Sequence, residues 1–218
     1  MQPDHVAIVA ADVGAARTIP ASRFAWYSSD GATGVLPSTL ADHVASLLDA
    51  GLPVALGFEC PLSVPLREDE HNLTNARTGE CAPGRGNAPW SASGGAGTLT
   101  VGLVQVPWVL RRVRRSVRSD IPAFLDWHAF CEHGHGLFLW EAFVTRQDKG
   151  VAHLGDAQVA VEAFQQALPD PQSTNAVGGD GECYSLIGAA LLRTGWSKSL
   201  DMLHEPCLVI RPSPRPAN

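Results

Sequence analysis

Four carboxylates stand out by position rather than by number. Asp12 directly follows the apolar run HVAIVAA (5–11), and Glu59 follows a second one, PVALGF (53–58). Glu141 lies inside a third, GLFLWEAFV (136–144), and Asp156 opens the stretch GDAQVAVEAFQQA (155–167). A charged side chain at the end of a fully apolar strand is seldom left uncompensated, because burying a lone charge is expensive. Carboxylates that converge repel one another unless a cation neutralises them. Their hard oxygens suit Mg²⁺ or Mn²⁺. Two such ions about 4 Å apart activate a water and stabilise a leaving oxygen in phosphodiester hydrolysis. Three of the four also have a plainer reading. Asp12 before Val13-Gly14 would start a turn, Glu141 would face outward from an edge strand, and Asp156 would complement a helix dipole. Glu182, in a later loop, is a weaker alternate.

The elements that must position these acids follow from hydrophobic periodicity. Continuous apolar runs at 5–11, 53–58 and 136–144 predict strands buried on both faces, as in a central layered sheet. RFAWYS (23–28) predicts a second strand, and the turn signals Asp30-Gly31 and Thr33-Gly34 allow a short third near Val35. Residues 39–50 carry Leu40, Val44, Leu47 and Leu48 at helical spacing, with Ser38 or Thr39 as N-cap and Gly51 as the stop. This strand–helix–strand passage favours a parallel pair. Parallel strands end on one edge of a sheet, so Asp12 and Glu59 are expected to converge there.

The rest of the chain reads as follows. Residues 61–97 form a long loop or insertion. A helix is predicted over 98–118, kinked or divided by Pro107, and another over 121–132, with Pro122 in its first turn. Helices over 155–167 and 184–193, a loop over 169–182, a strand over 206–210 and a flexible tail at 211–218 complete a single domain spanning 1–218. The 45% hydrophobic and 17% charged content excludes a disordered chain. No signal peptide or run of 18 apolar residues is present, so no membrane association is expected. The five cysteines are widely spaced with no C-x-x-C pair, which makes a reducing cytoplasm the expected location.

Net charge is −6, which argues against broad non-specific nucleic-acid binding. Five arginines nevertheless fall within 111–118, in a chain with 14 arginines and two lysines. Arg111, Arg115 and Arg118 share one helical face and Arg112 lies beside Arg115. They form either a phosphate-binding face or a solvated one that pairs with the chain's own acids. The glycine run from Trp90 to Gly97 opens a helix, and its backbone amides could hold a phosphate, although it lacks the Lys-Ser/Thr of a P-loop. Cys131-Glu132-His133-Gly134-His135 reads as a surface turn, and no Gly-x-Ser-x-Gly elbow exists.

IVAADVG (8–14), RFAWYS, VALGFECPL (54–62), FLWEAFV (138–144) and GDAQVAVEAF (155–164) together resemble the RNase-H-like superfamily. Within it they are most similar to uncharacterised predicted-nuclease families that carry an Asp on the first strand and an acid–x–Pro-Leu turn after the fourth. Holliday-junction resolvases share the layout more distantly. The resemblance spans most of 5–168. It implies an α/β fold with a mixed five-stranded sheet, the first three strands antiparallel and helices on both faces. It also implies a carboxylate cluster holding Mg²⁺ and nuclease activity on DNA or RNA. Asp12 matches the first-strand acid, Glu59 the fourth-strand acid and Glu141 a fifth-strand acid. Asp156, or a position in the last helix, matches the final one. The last helix, YSLIGAALLRTG (184–195), lacks an aspartate. Two rivals remain open: a catalytically inactive binding or scaffold module of the same fold, and an actin-like ATP-binding protein. The second normally needs a related second domain that 218 residues do not accommodate.

Overall fold

The computed structural model describes residues 5–16, 22–81, 89–145 and 148–213. The apolar runs do form the centre of a sheet. β1 (Ala7–Asp12), β4 (Val54–Phe58) and β7 (Leu137–Ala142) are mutually parallel neighbours. β2 (Ala25–Ser28) and β3 (Thr33–Gly34) add antiparallel beyond β1. The order is β3-β2-β1-β4-β7-β6. The sheet has seven strands rather than the five expected. The outer edge of β7 is shared by β6 (Ala123–Phe124), which pairs at Leu137–Phe138, and β9 (Leu208–Ile210), which pairs at Trp140–Ala142. β9 falls within the strand expected over 206–210, whereas the two-residue β6 carries too few alternations for a pattern to reveal it.

Alternation along each strand divides the core in two. Val9 and Ala11 of β1, Leu56 and Phe58 of β4, and Leu139 of β7 face one cluster. It is covered by α1 (Pro37–Asp49), α2 (Ser93–Ser116) and α5 (Leu186–Thr194). Ile8, Ala10, Ala55, Phe138 and Trp140 face the other, under α3 (Trp127–His133) and α4 (Ala152–Ala167). Trp127, Phe130, Phe138, Trp140 and Phe164 form a buried aromatic group there. Burying each such ring contributes roughly 1.5–3 kcal/mol. Gly57 is required by this packing. It pairs with Trp140, and a Cβ on it would lie 2.4 Å from the indole.

Several element boundaries differ from expectation. The predicted helix over 121–132 is β6 followed by a shorter α3, because Asp126 accepts a hydrogen bond from the Ala129 amide and caps the helix late. Pro37 occupies the first turn of α1 and Leu36 is the cap, without a side-chain hydrogen bond, in place of Ser38 or Thr39. Pro107 lies inside α2 without dividing it. The 61–97 segment contains β5 (Ser63–Pro65), which pairs antiparallel with β8 (Cys183–Ser185) in a small second sheet. Arg211 does not fray. It donates to the carbonyls of Gly79 and Glu80 and stacks on Phe143, while 214–218 lie outside the described residues. Gly134, at φ 78°, ends α3 and turns the chain between His133 and His135. Among the described residues no helix is long and apolar enough to cross a membrane, and no disulfide forms.

Candidate metal centre

β1 and β4 run in register with Ala11 beside Phe58. The next rung places Asp12 and Glu59 side by side on the α4 face of the sheet's C-terminal edge. Helix α4 begins at the same edge and supplies His153 and Asp156 one turn apart. His153 Nδ1 lies 2.5 Å from Asp12 Oδ2. Ligand atoms of Asp12, His153 and Asp156 all lie within 4.8 Å of one another. Asp156 accepts from the Gly150 amide at 2.7 Å and from Lys149 Nζ at 2.6 Å, and the same ammonium is 3.3 Å from Glu59 Oε1. Lys149 reaches the cluster because the chain folds back on α4 at two glycines. A Cβ on Gly150 would lie 2.3 Å from Gly155.

The electrostatics are those of an under-compensated site. Asp12 and Asp156 are buried. Burial raises the Asp12 carboxyl above its ordinary range, partly offset by the hydrogen bond with His153. Glu59 is pushed up much further, by burial first and then by the neighbouring Asp12 charge. Burial alone would lower Lys149, but the charge of Glu59 and the bond to Asp156 outweigh it and hold the ammonium charged. Three carboxylates face one lysine, so when all three are ionised they outnumber its charge by two. Glu59 Oε2 is buried with no hydrogen-bond partner. This donor set fits a divalent cation. The oxygens suit Mg²⁺ or Mn²⁺, and the imidazole nitrogen favours Mn²⁺ of the two.

Glu141 is not part of this group. It pairs with Phe58 across β4 and β7, so it shares the face of Phe58 and points away from Asp12 and Glu59. There it meets Arg77, whose two terminal nitrogens donate to its carboxylate at 2.8 and 2.6 Å, and it accepts the Leu62 amide at 2.9 Å. Arg77 also binds Glu80 at 2.9 Å and the Ser63 carbonyl at 3.2 Å. Burial would lower the guanidinium, but Glu141 and Glu80 outweigh it and keep it charged. This network ties the 61–97 segment to the sheet. Glu182 is exposed and lies on the β8 side, outside the cluster.

The arginines lie elsewhere. The first turn of α2 is at the edge that carries Glu59, whereas its end is at the opposite edge, where the Arg118 amide donates to Asp49 at the end of α1. From Gly94 to Arg111 the helix rises about 26 Å at ~1.5 Å per residue. Arg112 pairs with Asp42, Arg118 with Asp49, and Arg114 with Asp120. Arg111 and Arg115 are exposed. The phosphate-binding face drawn from the sequence therefore stands a helix length from the acids, with half of its four arginines engaged internally.

Lys149 and His153 were not legible as site residues. A faint signal exists for each. Lys149 is one of only two lysines in an arginine-rich chain, and His153 precedes Asp156 by three residues, which places both on one face of a helix. Comparison of the chain with protein-family models, curated proteins and solved structures returns no match.

Proposed function

We propose that this protein is a metal-dependent nuclease of the RNase-H-like type, acting on DNA or RNA. The observation that carries the reading is convergence. Ligand atoms of Asp12, His153 and Asp156, from two separate elements, lie within 4.8 Å of one another at one sheet edge, and Glu59 joins them through Lys149 with one buried oxygen unpartnered. The strand arrangement supports it: three antiparallel strands, then parallel β4 and β7, with acids at the end of β1, after β4 and in the second turn of α4.

Asp12, His153 and Asp156 would hold Mg²⁺ or Mn²⁺, with Glu59 beside them across Lys149. Such an ion, when bound, would supply a water of lowered pKa and stabilise charge on the leaving oxygen. The chain's own residues supply the rest. His153 fixes the Asp12 carboxylate and holds a proton at Nδ1. Lys149 presents a cation at the mouth of the site, where a phosphate would otherwise meet three carboxylates. Ala10, buried one rung below Asp12 on the same face, and the Gly57 rung beside it exclude water from beneath the acids.

The test is cleavage of labelled single-stranded, duplex and branched DNA and RNA with Mn²⁺. Activity is expected for the native protein and loss of about a thousandfold in Asp12→Asn, the equivalent of several kcal/mol of transition-state stabilisation. The reading fails if no substrate is cut and Asp12→Asn leaves Mn²⁺ binding unchanged in calorimetry. Mn²⁺ binding without any cleavage favours a non-catalytic module on the same fold.

A further inference from the structure

Helix α2 turns a continuous stripe outward. Gly97, Thr100, Val104, Trp108, Arg111 and Arg115 follow one another at three- and four-residue spacing, and all are exposed. The stripe is apolar in the middle and basic at its end. Val104 is 70% exposed, Trp108 39% and Leu103, on the flank, 52%. A groove toward α5 continues the apolar surface through Pro107, Tyr184 and Leu186. Contiguous apolar surface marks an interaction site, whereas scattered exposed side chains need no explanation. Gly97 points the same way. A Cβ there would meet nothing within 4 Å, so no contact inside the fold requires a glycine that weakens the helix. Its bare backbone lets a second helix come close.

Charge identifies what covers the stripe. α2 carries four arginines and no acid. Arg112 and Arg114 pair within the chain, while Arg111 and Arg115 have no partner among the described residues. Matching acids stand at the other end of the same helix. Glu68, Asp69 and Glu70 are exposed in a turn fastened to the α2 entry, where Ser91 and Trp90 donate to the Thr74 and Asn75 carbonyls. Arg67 closes that turn by donating to the Asn72 and Ala76 carbonyls. Among the described residues no cation pairs with Glu68 or Glu70. Val104 lies midway between Ser93 and Arg115, about 16 Å from each at ~1.5 Å per residue.

We propose that this face is the contact between two copies of the chain, related by a twofold axis beside Val104 with their α2 helices antiparallel. Trp108 of each copy would lie over the Gly97–Thr100 turn of the other. Arg111 and Arg115 of each would meet the acidic turn of the other. A parallel pair would set arginine against arginine. Self-complementarity about one apolar centre is what a twofold contact demands, and the rim charges fix its orientation. The acids of the metal centre lie on the opposite, α4 face of the sheet, so the contact leaves them open and does not depend on the nuclease reading.

Equilibrium sedimentation of the full chain tests it. The native protein is expected to form a dimer with a micromolar dissociation constant, the range of a modest interface. Val104→Asp sets two acids face to face at the axis and is expected to weaken the dimer by about tenfold or more. Arg111→Glu with Arg115→Glu makes like charges meet, as does Glu68→Lys with Glu70→Lys, and each double variant is expected to be monomeric alone. Mixed in equal amounts, the two double variants restore opposite charges on both sides of the axis and are expected to form a heterodimer. Every substituted position is exposed, and each variant is checked for native thermal unfolding. A native protein that stays monomeric up to about 1 mM overturns the proposal. So does a dimer that Val104→Asp leaves intact, or failure of the mixed double variants to associate. A native chain that is monomeric, and that loses nucleic-acid binding in Arg111→Glu with Arg115→Glu, gives the stripe to nucleic acid and also removes the proposal.

Discussion

Two buried acidic groups sit at the same sheet edge, on opposite faces, and they are built differently. Glu141 and Glu80 share Arg77, itself 3% exposed, and their four carboxylate oxygens all accept hydrogen bonds. Asp12, Glu59 and Asp156 share Lys149, which reaches in with a side chain 45% exposed, and one Glu59 oxygen has no partner. The first group has a fixed, planar, bidentate cation of its own. The second has a cation on a flexible stem and charge to spare. A satisfied network holds a segment in place, whereas an unsatisfied one keeps coordination capacity for something else.

The comparison is most directly broken at its two cations. Arg77→Met is expected to destabilise the protein by about 3–5 kcal/mol in urea unfolding, because it strands two buried carboxylates. Lys149→Met leaves an exposed mouth open to water and should cost far less. Equal losses in the two variants would erase the distinction.

Glu59→Gln is expected to stabilise the metal-free protein at pH 8 while weakening Mn²⁺ binding, since it removes an uncompensated buried charge. A gain of about 1 kcal/mol would read as roughly 2–4 °C in Tm. A fall in Tm would mean that Lys149 already neutralises the site fully.

The pH dependence sharpens the same point. Asp12 and Glu59 titrate above their ordinary values of 3.8 and 4.5 in the folded protein. The folded state therefore holds more protons than the unfolded chain once pH passes those ordinary values. The stability these groups contribute is complete below them and is lost as pH rises through the folded values. In EDTA the unfolding free energy of the native protein is expected to fall from pH 5 to pH 8 more steeply than that of Glu59→Gln. Parallel curves in chemical denaturation would contradict the raised Glu59 value.

The smallest effect is expected at the arginines. Arg112 and Asp42 are both exposed, so Arg112→Ala should leave the urea midpoint unmoved. Their distance from the acids also predicts that Arg111→Ala and Arg115→Ala together change the salt dependence of nucleic-acid binding without changing the cleavage rate of a bound mononucleotide-length overhang.

The central strands were legible because both of their faces are buried, which writes a continuous apolar run into the chain. Asp12 and Glu59 were legible for the same reason, as the first charges after such runs. The strand over 206–210 was legible as an apolar run and became β9; β6 was not, being too short to carry a pattern, and α3 was misread because Pro122 and Asp126 both offer a helix start. Lys149 and His153 lie where no periodicity marks them.

Glu141 shows where sequence stops deciding. Alternation along β7 establishes that Glu141 and Leu139 share a face, and along β4 that Glu59 opposes Phe58. Whether Glu141 joins Glu59 or Phe58 depends on which rung of β7 lies beside which rung of β4, and a one-residue slip would reverse the answer. That register is set by packing between strands about 80 residues apart, including the seat of Trp140 on Gly57. The sequence by itself determined which acids reach the sheet edge. Only the tertiary structure decided which of them meet, because facing is a property of pairs of strands and not of either strand alone.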